Sequence, residues 1–180
     1  MALAEQISKE GIEAGLEAQT LNDNENLEQY LTFMLAEEEY GVDILSVKEI
    51  RGWESVTPVP NSPKHIKGVI NLRGTIVPIV DLRAKFNLVN VAYGPLTVVI
   101  VLGVMLGDEA RVMGVVVDAV SDVYGVSLEK MQPAPDLDDN VDTKYIQGLA
   151  AVAEKMIVIL DIDALLAGDM REHTVPGLVQ

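Results

Sequence analysis

Two histidines, no cysteine and a large carboxylate excess limit the chemistry open to this chain. His65 stands beside a proline-rich stretch and His173 near the C-terminus, each without a second ligand close in sequence, so neither is expected to hold a metal. Asp136, Asp138, Asn140 and Asp142 imitate the opening spacing of a calcium loop. The imitation fails where that loop is strict, because Val141 takes the place of its glycine and Gln147 that of its closing glutamate. A solvated acidic loop is the reading there. Gly103 and Gly107 lack the Lys-Ser/Thr that completes a phosphate cradle, and no serine stands in a nucleophile-elbow context. Asp81 and Asp161 invite a reading as an acid–base pair, but an Asp at a strand end more commonly caps the next turn or helix. No cofactor and no catalytic residue are therefore expected.

Three residues look poorly used if folding were their only task. Arg73, between Leu72 and Gly74, lies at an expected hairpin tip in a chain short of positive charge, where its planar fork would suit a carboxylate. Glu49 stands among Val47, Ile50 and Trp53, a charge beside apolar surface, and an ordinary edge-strand Glu is the competing reading. Trp53 is the single tryptophan, with a core plug favoured over an interface anchor.

Composition narrows the partners. Thirteen Lys and Arg against twenty-eight Asp and Glu leave a net charge of −15, which repels phosphate backbones and anionic lipid. Nucleic acid is not expected as a partner. Residues 96–106, the longest strongly apolar stretch, fall far short of the roughly 20 needed to span a bilayer. The acidic N-terminus has no apolar signal-peptide region, and a soluble cytoplasmic protein is expected.

The elements that would position these residues come in duplicate. Residues 66–86 align without a gap on residues 146–166, matching Gly68 with Gly148, Ile79 with Ile159 and Asp81 with Asp161. Residues 40–50 align on 113–123, matching Gly41 with Gly114 and Val47 with Val120. Short β-branched runs broken by Gly and Pro predict hairpins rather than an α/β sheet. One closes at Arg73–Gly74, another around 37–39, another at 106–109, and prolines 58, 60 and 63 forbid a central strand between them. Residues 45–53 read equally as strand or helical turn. The division expected is a loose acidic tail over 1–28, a first small barrel over about 29–86, and a second over about 95–162. A short helix is expected over 161–168, capped by Asp161 and ended by Gly168, with a tail over 169–180.

The runs YGVDIL, VKEIRG, IKGVINLRG, IVPIVDLR, TVVIVL, GVVVDAVSDV, QPAP and YIQGLA together resemble the CheW family of bacterial chemotaxis coupling proteins, over about residues 29–168. The resemblance implies an all-β fold with short helices, made of two SH3-like five-stranded barrels. It also implies a non-catalytic adaptor between methyl-accepting receptor tips and the histidine kinase CheA, monomeric in isolation and recruited to membrane-associated arrays. The family's receptor surface, a groove between the barrels, falls on Val47, Glu49, Leu72 and Arg73, and its kinase contact on Val56 and Thr57 before Pro58. A further contact from the second barrel would fall near Pro133–Pro135. Alternatives are an adaptor of another CheA-type pathway, or a small-molecule-binding barrel using Asp81 and Asp161.

Overall fold

The computed structural model describes residues 27–88, 92–135 and 143–172. The expected tail over 1–28 and the acidic segment 136–142 lie almost wholly outside them, as does His173. Among the described residues, ten strands form two five-stranded sheets. Sheet I runs β8 (Ala119–Ser127), β1 (Leu27–Leu35), β2 (Glu38–Asp43), β10 (Lys155–Leu160), β9 (Ile146–Val152). Sheet II runs β3 (Val47–Gly52), β6 (Val98–Leu106), β7 (Glu109–Val117), β5 (Thr75–Asp81), β4 (Ile66–Leu72).

The two orders are the same order. β3 and β8, β6 and β1, β7 and β2, β5 and β10, and β4 and β9 hold equivalent places. Yet each sheet joins the first hairpin of one half of the chain to the last three strands of the other half. The residues matched by the duplication meet crosswise: Ile79 pairs with Gly114 and Ile159 with Gly41, in the one parallel ladder of each sheet. The division at 29–86 and 95–162 therefore does not describe the sheets, and burial explains why. Along β6, Val99 and Val101 enter one core while Ile100 and Leu102 enter another, so the strand needs cover on both faces. One half of the chain cannot supply both.

Three cores follow. The largest lies between the sheets, where Phe33, Leu35, Tyr40 and Val42 of sheet I meet Ile100, Leu102, Met113 and Val115 of sheet II. Phe33, Tyr40 and Phe86 stack in series across it, with centroids about 6 Å apart. Smaller cores fill each sheet's own curl, Tyr30, Ile157 and Ile159 in sheet I and Val77, Ile79 and Val101 in sheet II. The curl of sheet II is held by Thr57, which follows edge strand β3 and exchanges hydrogen bonds of 3.0 and 2.8 Å with Val69 on the opposite edge strand, β4. Gln132 does the same with Leu149 in sheet I, at 2.9 and 2.7 Å. Close backbone approach makes Gly68 obligatory here: its φ is +147, and a Cβ on it would lie 2.2 Å from the Thr57 carbonyl oxygen.

Each last strand leads into a helix, α1 (Leu82–Lys85) and α2 (Ile162–Glu172). The strand-end aspartates cap them, Asp81 accepting from the Arg83 N–H at 3.0 Å and Asp161 from that of Ala164 at 3.1 Å. Gly168 does not end α2, so the tail expected from 169 begins inside a helix. The helix continues because Asp169, buried on its inner face, accepts from Lys85 Nζ and meets His65 Nε2 at 2.5 Å. This is also the role the structure gives His65. Residues 44–46 form a single 3₁₀ turn and residues 47–52 a strand, so both readings of that stretch hold in part.

Candidate partner-binding surface

Val47 opens β3 and packs partly against the inter-sheet core. Glu49 follows on the same half-buried row, and its carboxylate faces two guanidiniums, Arg73 at 3.6 Å and Arg51 at 3.9 Å. Leu72 ends β4 and packs against the inner core of sheet II, and Arg73 occupies the following turn. The turn explains the exposure of Arg73. It adopts φ +51, an uncommon value for a residue with a side chain, and Gly74 follows at φ +87 with its N–H donating to Asn71 Oδ1 at 2.8 Å. Asn71 and Gly74 thus absorb the local strain and leave the Arg73 side chain 83% exposed.

β3 and β4 are the two edge strands of sheet II, so Glu49 and Arg73 meet only because the sheet closes on itself. The four residues expected to face a receptor come from sheet II, with Val47 at the point where the chain enters it from sheet I. Beside them Leu45, in the 3₁₀ turn, is an apolar side chain left 84% exposed. Its signal in the sequence was its place opposite Asp118 in the duplicated alignment, an apolar residue where the other half carries a charge.

Val56 and Thr57 follow β3 on the same barrel. Val56 packs partly into the inner core of sheet II, and Thr57 is exposed while its backbone makes the bridge to Val69. They border a cleft of about 220 Å³ shared with Arg51, Glu54 and Ile70. Trp53 plugs the mouth of this barrel, its ring 4.3 Å from that of Tyr93. Burial, reinforced by a 2.5 Å hydrogen bond to Asp81, pushes the Tyr93 phenol above its ordinary range, so it stays protonated and donates.

Asp81 and Asp161 do not converge. Asp81 is buried beneath Tyr93 and near Lys67, whereas Asp161 is exposed at the start of α2. What the surface offers is an apolar pair flanked by opposed charges, suited to a helix that carries both.

Comparison with known proteins decides the family. A family model described as CheW-like domain matches residues 29–170. This chain belongs to the CheW-like domain family. It is 49% identical to the chemotaxis protein CheW of Klebsiella aerogenes over 142 residues, covering 79% of this chain and 83% of that one. The chemotaxis protein CheW of Rhizobium meliloti is 36% identical over 144 residues, 80% of this chain and 90% of its own. The crystal structure of the scaffolding protein TtCheW from Thermoanaerobacter tengcongensis superposes with a TM-score of 0.70 at 34% identity, covering 78% of this chain and 88% of that chain. The all-β fold in two five-stranded units is thus that of CheW-like proteins. Among the described residues no helix is long and apolar enough to cross a membrane.

Proposed function

We propose that this chain is a non-catalytic chemotaxis adaptor, cytoplasmic and monomeric by itself, that couples the tips of methyl-accepting receptors to the histidine kinase CheA in membrane-associated arrays. Receptor contact is assigned to Val47, Glu49, Leu72 and Arg73, and kinase contact to Val56 and Thr57. The observation that carries this reading is the meeting of Glu49 with Arg73 beside Val47 and Leu72, next to a cleft bordered by Val56 and Thr57 that begins at Arg51. Two surfaces on one rigid barrel let one molecule hold two partners together. Apolar burial supplies affinity, the charge pair sets register, and arrays compound modest contacts through effective concentration. A small-molecule barrel gains no support from Asp81 and Asp161, which stand in unlike surroundings.

The test is sedimentation of a ternary complex. Purified chain, a soluble receptor-tip fragment and the kinase regulatory domain should form one species containing all three, and receptor tip and kinase domain should compete for nothing. Mutually exclusive binding of the two partners would refute the two-surface assignment.

A further inference from the structure

The chain crosses between the sheets twice, from β2 to β3 and from β7 to β8. The second crossing consists of one residue, Asp118, between Val117 of sheet II and Ala119 of sheet I. Its backbone N–H donates to the Met34 carbonyl at 3.0 Å, and its Oδ2 accepts from the Ala36 N–H in the β1–β2 turn at 2.9 Å. Its Oδ1 takes both Nε and a terminal nitrogen of Arg83, a two-pronged pair from α1, the helix that follows β5 of sheet II. The Arg83 side chain is only 7% exposed. One carboxylate therefore ties a turn of sheet I to a helix of sheet II at the point where the chain passes between them.

At the other crossing no carboxylate stands in the place of Asp118. Residues 40–50 align with 113–123, which sets Leu45 opposite Asp118, and Leu45 points into solvent two residues before Val47. Asp43 merely caps that turn through the Leu45 N–H at 3.0 Å. Carboxylates on α2 add further ties between the sheets, Asp169 holding Lys85 of α1 and Asp163 accepting from the Met105 N–H of β6 at 2.9 Å, but Asp118 alone stands at a crossing of the chain itself. A pair with its guanidinium buried and two nitrogens on one carboxylate oxygen is directional, so it resists rotation of one sheet against the other in a way apolar packing does not.

We propose that Arg83 and Asp118 form a positioning clamp that sets the spacing of the two barrels at which a helical receptor tip is accepted, without either residue touching that partner. The proposal rests on the receptor reading above for its binding arm and stands free of it for its geometric arm. Because the chain contains no cysteine, Asp108→Cys on sheet II and Ala151→Cys on sheet I give a unique spin-label pair at exposed sites. Dipolar spectroscopy then measures the barrel-to-barrel distance in the otherwise wild-type chain, in Asp118→Asn, which keeps size and loses charge, and in Arg83→Met and Arg83→Lys.

The clamp predicts a broadened or shifted distance in Asp118→Asn and Arg83→Met, with Arg83→Lys between them and wild type. Receptor-tip affinity should fall about tenfold or more in the same order. Binding of the kinase regulatory domain, assigned to Val56 and Thr57 beside sheet II, should stay within about twofold. If Arg83→Met fails to fold, the isosteric Asp118→Asn decides. An unchanged distance overturns the clamp, as does equal loss of both partners. A wild-type chain that ignores the receptor tip sinks the receptor reading instead, and the distance measurement still judges the clamp.

Discussion

The guanidinium of Arg73 lies 3.6 Å from the carboxylate of Glu49, joining a hairpin tip at one edge of sheet II to the strand at its other edge. In the sequence these charges are more than twenty positions apart and read as two separate rim groups. In the fold they answer each other, and a partner that takes Arg73 must compete with or extend this pair. An ion pair so open to water contributes little to folding, about 0–1 kcal/mol. Arg73→Ala should therefore melt within a few degrees of wild type, by an order-of-magnitude expectation, while weakening receptor-tip binding by about 1–3 kcal/mol. Arg73→Lys should recover only part, because an ammonium lacks the planar fork. Calorimetric binding and thermal melts on the same samples check it, and wild-type binding by the Ala variant would return Arg73 to the role of a solvated turn residue.

The matched glycines give a graded series. A Cβ at Gly68 would strike the Thr57 backbone at 2.2 Å and take on an unfavourable φ, so Gly68→Ala should break the Thr57–Val69 bridge and cost about 3 kcal/mol or more. At Gly148 the nearest atoms belong to the Met131 side chain, 2.4 Å away, which can move, although the Gln132 carbonyl oxygen stands at 3.0 Å. Gly148→Ala should cost less. Gly52 meets nothing within 4 Å, and Gly52→Ala should fall within roughly 0.5 kcal/mol of wild type. Urea unfolding of the three variants ranks them, and a neutral Gly68→Ala would contradict the bridge as a barrel closure.

The C-terminal helix is held by a buried carboxylate. Removing it in Asp169→Ala strands Lys85 without its counter-charge and His65 without its acceptor, at a cost of about 3–5 kcal/mol. Truncation after Gly168 removes the same carboxylate and should destabilise similarly. If that truncation unfolds at the same urea concentration as the full chain, α2 ends functionally where its glycine suggested.

Much of this architecture was readable before any coordinates. The duplication of residues 66–86 in 146–166 announced two equivalent units, and Asp81 and Asp161 cap helices as strand-end aspartates do. The exchange of hairpins was not readable, because Gly41 and Gly114 carry the same local pattern whichever half they pair with. Only the demand of β6 for cover on both faces decides between Ile79 and Ile159 as the partner of Gly114. Nor could a glycine at 168 be weighed against Asp169, since the value of that carboxylate depends on His65 and Lys85, about a hundred and about eighty residues upstream. For the proposed binding surface, motif resemblance supplied Val47, Glu49, Leu72 and Arg73, but their convergence depends on barrel closure through Thr57. The charge pair inside that set is visible only in the fold.

Coupling itself is the central claim, and receptor-dependent stimulation of kinase autophosphorylation measures it most directly. Membranes bearing a methyl-accepting receptor, the kinase CheA and this chain should together phosphorylate faster than kinase alone, by roughly tenfold or more if bridging raises the effective concentration of the partners. Omitting the chain, or replacing it with Arg73→Ala, should return the rate to that of kinase alone. A charged substitution at Val56 should do the same while leaving receptor binding intact. Stimulation that is undiminished without the chain, or unchanged by both variants, would contradict the account.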